Sequence, residues 1–435
     1  MPLTEAVLAH LWAGQRFPAS ALVTNAGVPL RVLHPGRRGR GAGPDFRDAL
    51  VAGPSGAPLR GDIELHRRAS DFRAHGHHRD PRYGGLILHV VFDDDADGDT
   101  ALAGGRTVPV VALAPWARRR AQELAGWLAG PGLWREPCHD AVARLGREGV
   151  LSRLAELGDA RFGERTAALA LEIQACGPGE ALYRALLGGL GYGGDRARLA
   201  AVAERLPWRA LSQPLRGERE EGALVCAEAL LLGAAGLLPC QPREAREARW
   251  VEIWETQGRR LALESGAVVA EPPPRPGALR PANYPARRLA ALAALLARHR
   301  PLFEAEGAAR ALLALPARAL IDGWCVPARG YWRRWLAPAL AARRPPGALA
   351  GRGRAIELLV NAVLPWCAAA GEGDGARAAF AALPRPGRYG ALTFLEENFA
   401  SKDGPLPLDA RRQQGLLALY KTECTQGGCG RCVFS

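Results

Sequence analysis

The chain has very little lysine and a single methionine among its 435 residues. Lys402 and Lys421 are the only lysines, so arginine supplies nearly all of the positive charge behind the formal net charge of +13. An excess of this size suits a polyanionic partner such as nucleic acid. GC-rich codons offer an alternative explanation, because arginine, alanine, glycine and proline are all abundant. The charge alone does not decide between the two.

Long apolar runs are also missing. No run approaches the roughly 18 residues that cross a bilayer as a helix, and Met1–Glu5 lack the basic region of a secretory signal. We therefore expect a soluble, cytoplasmic protein without membrane contact. Nine cysteines in such a chain do not predict a disulfide framework. The length allows two or three domains.

The first 115 residues read as one compact α/β domain. A helical pattern over 4–15 is followed by strand-like runs at 29–33, 46–52 and 59–66, a polar helical segment at 70–83, and strands at 86–92 and 107–112. The run from Leu86 to Phe92 is almost wholly apolar, which is typical of a strand covered on both faces.

The rest of the chain is predicted to be mostly α-helical. Helical periodicity predicts one domain over 116–270 and a second over 271–420. The proline-rich segment Glu271–Pro276 at the start of the second is a stiff connector, and 421–435 form a cysteine-rich tail. Within these segments helices are predicted at 116–129, 141–175, 179–206, 221–236, 241–264, 285–300, 304–314, 329–342, 353–371 and 408–421.

The hairpin formed by 46–52 and 59–66 brings acidic residues together. If it is centred on Pro54-Ser55, Asp45 lies opposite Glu64 with Cβ atoms about 4.5–5.5 Å apart. Two carboxylates at that separation suit a hard divalent cation. Alternation along the strand directs His66 to the same side. The alternative is that Asp45 caps the strand and the other two residues form a solvated face.

A carboxylate before a strand, followed by Glu-x-(basic residue) on its hairpin partner, resembles the PD-(D/E)XK nuclease superfamily, as does the element order. The resemblance implies a restriction-endonuclease-like core in which Asp45, Glu64 and the Leu65 carbonyl bind Mg²⁺ or Mn²⁺. It places His66 where the superfamily usually has a lysine that orients the attacking water, and matches Glu5 to an additional acid of some members. The implied activity is metal-dependent hydrolysis of phosphodiester bonds in DNA or RNA. A catalytically degenerate protein that binds nucleic acid or assembles with partners is the alternative.

Six of the nine histidines lie between residues 34 and 89. If 70–79 is helical, Asp71 and His75 share a face, and both would line the edge of the active site, where they could contact a phosphate or the attacking water. A zinc hydrolase built on His75, His77 and His78 is a weaker reading, because their spacing fails the H-x-H-x-D-H motif of metallo-β-lactamase-like hydrolases. A polar surface turn is the alternative.

Three arginines follow His34 in a glycine-rich stretch. Arg37, Arg38 and Arg40 are expected to form a flexible cationic loop that tracks a phosphate backbone. A solvated loop without a partner is equally compatible with the sequence.

The C-terminal tail carries the pattern C-x4-C-x2-C. Cys424, Cys429 and Cys432 supply three of the four thiolates that structural Zn²⁺ or a 4Fe-4S cluster requires. The favoured fourth ligand is Cys138, with Cys325 and Cys367 as alternatives. Some PD-(D/E)XK members resemble this plan, with one distant cysteine and three near the C-terminus. A frayed tail with free thiols is the alternative.

Seven parts of the sequence carry a further resemblance: His34–Gly36, Ala42–Phe46, Gly61–His66, Ser70–Phe72 with His75–His77, Leu88–Val91, Arg280–Pro285 and the three-cysteine tail. Together they are similar to an uncharacterised bacterial family, the domain of unknown function 2851. The resemblance supplies no activity. It implies that the nuclease-like core, the helical region and the tail occur together as one unit.

Overall fold

The computed structural model describes residues 5–15, 17–39, 43–96, 98–119, 137–191, 196–265, 283–305, 307–401, 403–426 and 432–435. The chain divides into two compact units. The first comprises Met1–Val150, Phe394–Leu406 and Leu417–Ser435, and the second comprises Leu151–Thr393 and Pro407–Leu416. Among the helices of these described ranges, none combines the length and apolar character needed to cross a membrane.

The first unit is built on a mixed six-stranded sheet. Its strands lie in the order β1-β3-β4-β5-β8, with β2 paired to β3. The strands β1, β3 and β4 are antiparallel, whereas β4, β5 and β8 are parallel. The strand bounds are Arg31–His34 (β1), Arg37–Arg38 (β2), Phe46–Ala52 (β3), Pro58–Arg68 (β4), Leu86–Asp93 (β5), Thr100–Ala101 (β6), Thr107–Val108 (β7) and Val110–Ala112 (β8). The short strands β6 and β7 form a separate antiparallel pair.

The two faces of this sheet have different environments. On one face, Ile63 and Leu65 pack against Leu8 and Trp12 of helix α1 (Glu5–Ala13). Because side chains alternate along a strand, the intervening residues of β4 lie on the opposite face. That second face carries an aromatic cluster around Phe72. The predicted burial of β5 is confirmed, since all of its residues from Leu86 to Val91 are buried.

The β3–β4 hairpin reaches the predicted pairing by an unpredicted route. Near the turn, Ala52 pairs with Pro58, so the hairpin is centred on Ser55 and each residue of β3 faces a partner one position later than a centre at Pro54-Ser55 would give. A bulge between Phe46 and Ala49 then shifts the register, so that Phe46 pairs with Ile63. Asp48 lies within the bulge at a φ of 56°, a left-handed conformation that aspartate tolerates better than most residues. The shift leaves the residue before β3 beside Glu64.

The connection between β4 and β5 is not the continuous helix predicted for 70–83. It consists of a short helix α2 (Asp71–Ala74) and two 3-10 turns, His77–Arg79 and Pro81–Tyr83. Gly76 ends the helical stretch because its φ of 79° suits glycine. The Asp80 side chain accepts a hydrogen bond from the Arg82 amide and begins the last turn. The chain therefore doubles back over the sheet.

Helices dominate the remainder of the described chain. The helix bounds are Ala114–Arg119 (α3), Ala141–Cys176, Pro178–Leu190, Arg196–Arg205, Trp208–Leu215, Glu220–Ala234, Ala245–Ser265, Pro285–Arg298, Arg300–Glu304, Ala308–Leu313, Ala317–Gly323, Arg352–Leu358, a π-helical turn Leu359–Val363, Leu364–Ala369, Gly373–Ala382, Thr393–Asn398 and Ala410–Thr422. The first long helix, Ala141–Cys176, is broken at Gly146. The predicted helix over 329–342 is wrong: a 3-10 turn (Gly330–Arg333) precedes the strand pair Trp335–Ala337 and Leu340–Ala341.

The domain boundaries also differ from the predicted ones. A single hydrophobic core joins helices from both predicted helical domains, with Leu182, Leu231, Leu292 and Ile356 among its members. These helices form one unit because their apolar faces cover each other. The predicted connector at 271–276 lies outside the described residues. The cysteine-rich tail belongs to the first unit together with the sheet.

A close helix crossing stabilises this second unit. A Cβ atom on Gly415 would overlap the carbonyl oxygen of Leu154, and one on Gly158 would overlap that of Arg411. The two backbones therefore approach each other where only glycine fits.

Candidate functional site

Two carboxylates are held beside each other by backbone hydrogen bonds where β3 begins. The Asp45 amide donates to Oε2 of Glu64 at 2.9 Å, and the Leu65 amide donates to Oδ2 of Asp45 at 3.1 Å. The predicted juxtaposition of these two acids is therefore present. Leu65 contacts the pair through its amide, whereas the resemblance implied that its carbonyl would bind the metal.

The electrostatics of this pair favour uptake of positive charge. Burial, followed by the repulsion of Asp45, raises the pKa of Glu64 to about 8. Burial also raises the pKa of Asp45, although the hydrogen bond from Leu65 opposes the change. The Glu5 carboxylate on α1 raises the pKa of both acids further. A bound cation would relieve this repulsion.

Three imidazoles face the free side of Glu64. Oε1 of Glu64 lies 3.5 Å from Nε2 of His77 and 3.9 Å from Nε2 of His66. The latter nitrogen is also 3.1 Å from Nδ1 of His75. One nitrogen from each of the three histidines lies within 4.8 Å of the others, and this is the one group of three metal-ligand side chains found in the described parts of the chain. His66 is buried, His77 half-buried and His75 exposed, so the group opens to solvent through the turn after α2.

Behind this group, His89 and Thr100 continue the polar contacts into the core. Nδ1 of His66 lies 3.0 Å from Nε2 of His89, whose Nδ1 lies 2.7 Å from the Thr100 hydroxyl. Burial lowers the pKa of His66 to about 2 and that of His89 to about 4, and the neighbouring imidazoles reinforce both shifts. Both rings are therefore neutral at physiological pH. His89 is a buried, hydrogen-bonded core residue that also contacts the site.

Aromatic rings fix the orientation of the histidines. His77 stacks on Tyr83 with ring centroids 4.2 Å apart, and Phe72 meets the edge of His66 at 6.0 Å. Phe72 and Tyr83 are almost fully buried, so they hold the imidazoles against β4. Of the two residues expected to share a helix face, His75 joins the histidine group, whereas the Asp71 carboxylate accepts a hydrogen bond from the Arg68 amide.

The arginine stretch is not the expected flexible loop. Arg37 and Arg38 form β2, and Arg37 is only 6 % exposed. The Arg37 guanidinium is paired with Asp48, donates to the Tyr420 hydroxyl at 2.9 Å and lies 4.5 Å from the Tyr420 ring. Its predicted contact with a phosphate backbone is thus corrected to a structural role, because the side chain is buried. Arg38 is exposed and its charge acts on Asp45, whereas Arg40 lies outside the described residues.

The cysteine prediction is only partly covered by the structure. Cys138, Cys424 and Cys432 lie in the first unit, and Cys429 falls outside the described ranges. The three described sulfur atoms do not form a metal-ligand group by themselves. The amide of Asn398 donates toward the Cys138 sulfur at 3.6 Å. Zinc or iron–sulfur binding at the tail remains a prediction.

Sequence reasoning missed how His77 and Tyr83 contribute to the site. The spacing of His75, His77 and His78 along the sequence does not match the H-x-H-x-D-H metal motif. Its ligand geometry arises because Gly76 reverses the chain and brings the turn onto a strand residue ten positions earlier. The available signal was the concentration of histidines on β4, β5 and the connection between them.

Comparison with known proteins identifies a family and no function. No curated protein and no solved structure matches the chain. The family model described as "Protein of unknown function (DUF2851)" matches residues 5–383, which include the sheet, the carboxylate pair and the histidine group. The chain therefore belongs to the DUF2851 family.

Proposed function

We propose that the chain is a metal-dependent hydrolase of phosphodiester bonds, with the active site at Asp45 and Glu64. The observation that carries the proposal is the pair of adjacent carboxylates, each held by a backbone amide, beside an open group of histidines. Adjacent acids whose pKa values are raised by burial are typical of a site that takes up a divalent cation.

The architecture around the pair supports a nuclease of the PD-(D/E)XK type. A helix precedes an antiparallel hairpin, and the second hairpin strand is followed by a parallel neighbour, β5. Glu5 on α1 acts electrostatically on both acids, as the additional acid in the resemblance would. The connection between β4 and β5 differs from this element order, because short turns that carry histidines stand where a continuous helix was expected.

The residues divide the chemical work in a definite way. The Asp45 and Glu64 carboxylates would attract the cation and balance its charge, and the bound cation would acidify a water and neutralise charge on the phosphate. His66 cannot orient the attacking water as a mobile lysine would, because its side chain is only 1 % exposed and lies between His75 and His89. It contributes a nitrogen to the histidine group instead. Arg38, which is exposed near Asp45, is placed to meet a phosphate of the substrate.

Cleavage assays over single- and double-stranded DNA and RNA test the proposal, with Mg²⁺, Mn²⁺ or Zn²⁺ supplied in turn. We expect cleavage with at least one metal, and a loss of 100-fold or more in Asp45→Asn and Glu64→Gln. Glu148→Gln, an exposed acid in the first unit, is the matched control and should cut normally. Cutting that persists in both active-site variants would refute the assignment.

A nucleic-acid-binding protein on a degenerate nuclease fold is the second candidate. It is favoured by the buried His66 in the position of the expected lysine. This candidate predicts binding that weakens as salt rises, without turnover in any metal. Binding that is absent or insensitive to salt would exclude it.

A further inference from the structure

We propose that His66, His75, His77 and Glu64 form a binding site for one transition-metal ion of the Mn²⁺ to Zn²⁺ class. The inference rests on the proposed function in that this ion would be the metal of the hydrolase. It replaces the magnesium site expected from the carboxylates alone.

The spacing of the donor atoms matches a metal centre. Around an ion with bonds of about 2.0–2.1 Å in tetrahedral geometry, ligand atoms lie about 3.3 Å apart. The distance is 3.1 Å between Nε2 of His66 and Nδ1 of His75, and 3.5 Å between Nε2 of His77 and Oε1 of Glu64. The remaining measured edge, from His66 to Glu64, is 3.9 Å. The three histidine nitrogens lie within 4.8 Å of one another, so their edges would close by up to about 1.5 Å to complete the polyhedron.

Hydrogen bonds orient two of the four donors, Glu64 and His66, toward the group. Glu64 uses Oε2 for the Asp45 amide, which leaves Oε1 directed at the imidazoles. When His89 donates through Nδ1 to Thr100, its Nε2 accepts from Nδ1 of His66. Nε2 of His66 then carries a lone pair toward the group, as metal-bound histidines commonly do when their second nitrogen donates to a neighbour.

The donor set indicates which ions fit. Imidazole nitrogen suits zinc, iron, nickel, copper and manganese, whereas Mg²⁺ prefers oxygen donors and retained water. Three nitrogens and one carboxylate oxygen therefore favour a transition metal. Four protein ligands fill a tetrahedral ion, so a substrate oxygen would bind as a fifth ligand, from the solvent-facing side where His75 is exposed.

Calorimetric titration of the full-length, tag-free, metal-stripped chain with Zn²⁺ tests the site, with Co²⁺ as a spectroscopic probe. Comparing the wild type with the double variant His75→Ala/His77→Ala cancels any ion held by the C-terminal cysteines. We expect the wild type to bind one more equivalent than the double variant, or the same equivalent at least 100-fold more tightly. His78→Ala is the matched control, because His78 lies in the same turn but outside the group, and it should bind like the wild type. Circular dichroism confirms that each variant is folded.

Three outcomes would overturn the inference: equal Zn²⁺ binding by the wild type and the double variant, an equal loss in His78→Ala, or displacement of Co²⁺ by millimolar Mg²⁺. The outcomes separate this inference from the proposed function. Zn²⁺ binding without cleavage of any nucleic acid retains the metal site and refutes the hydrolase. Full Mg²⁺-dependent cleavage by the double variant retains the hydrolase and refutes the histidine site.

Discussion

Glu228 offers a quantitative test of the electrostatics inside the second unit. Its carboxylate is 4 % exposed and accepts hydrogen bonds from the indoles of Trp254 at 3.1 Å and Trp332 at 2.7 Å. Burial raises the pKa of Glu228 to about 7, although both indole donors oppose the change. The folded protein therefore binds a proton at a pH where the unfolded chain has released it. We expect this group to make folding stability fall as pH rises.

The magnitude follows from proton linkage. Below pH 4.5 the carboxyl is protonated in both states, so Glu228 adds no pH dependence there. Between pH 4.5 and about 7 only the folded state is protonated, and each pH unit lowers the free energy of unfolding by about 1.4 kcal/mol. The whole interval amounts to about 3 kcal/mol, and above pH 7 the contribution is constant. Of this, about 2–3 kcal/mol falls between pH 5 and pH 8.

Urea unfolding of the wild type and Glu228→Gln over that range measures the effect. The glutamine variant leaves one indole without a good acceptor, which costs about 1–3 kcal/mol at every pH. This offset does not change with pH, whereas the difference in unfolding free energy should shift by about 2–3 kcal/mol as Glu228 ionises. Other titrating groups cancel between the two proteins. A difference that stays constant from pH 5 to pH 8 would show that the carboxylate is ionised throughout and that the indoles outweigh burial.

Three further perturbations test the packing and the polar contacts. In thermal unfolding, Gly415→Ala should destabilise the second unit by about 3 kcal/mol, because the new methyl group meets a main-chain carbonyl. The control Gly163→Ala adds its methyl group in open space and should be neutral or stabilise by up to about 1 kcal/mol. Arg37→Met should lower the urea-unfolding free energy by about 2–3 kcal/mol and leave nucleic-acid affinity unchanged, since the guanidinium is buried; a fall in affinity without loss of stability would contradict this role. Thr100→Val removes the hydroxyl beside His89 and should weaken Co²⁺ binding about 10- to 100-fold, and unchanged binding would argue against its positioning role.

The sequence predicts most strongly where one local signal dominates. The strand β5 follows from an apolar run that only a doubly covered strand accommodates. By contrast, the helical pattern over 329–342 fails because Tyr331 and Trp332 pack against Trp254. This burial needs a turn at Pro338, and the next residue, Ala339, adopts a φ of 60°. Tertiary packing overrides a modest helical propensity there.

In the β3–β4 hairpin, the predicted contact between Asp45 and Glu64 is correct although the predicted register at the turn is wrong. Centring the turn on Pro54-Ser55 pairs Asp45 with Glu64, yet the observed turn shifts that pairing by one. The bulge at Asp48 restores it, and Asp48 N–H donates to Asp62 across the gap. Bulges insert one residue without a distinctive local pattern, so their position depends on contacts made elsewhere in the fold.

The position where the superfamily resemblance expects lysine carries a different kind of chemistry. A lysine at 66 would place an ammonium in a site where burial and neighbouring imidazoles already depress the pKa of a basic group. The histidine instead offers a neutral nitrogen that contacts His75 on one side and His89 on the other. Histidine in place of lysine at position 66 is therefore consistent with the other histidines around it. Imidazole nitrogen is a poor ligand for Mg²⁺ and a good ligand for a transition metal.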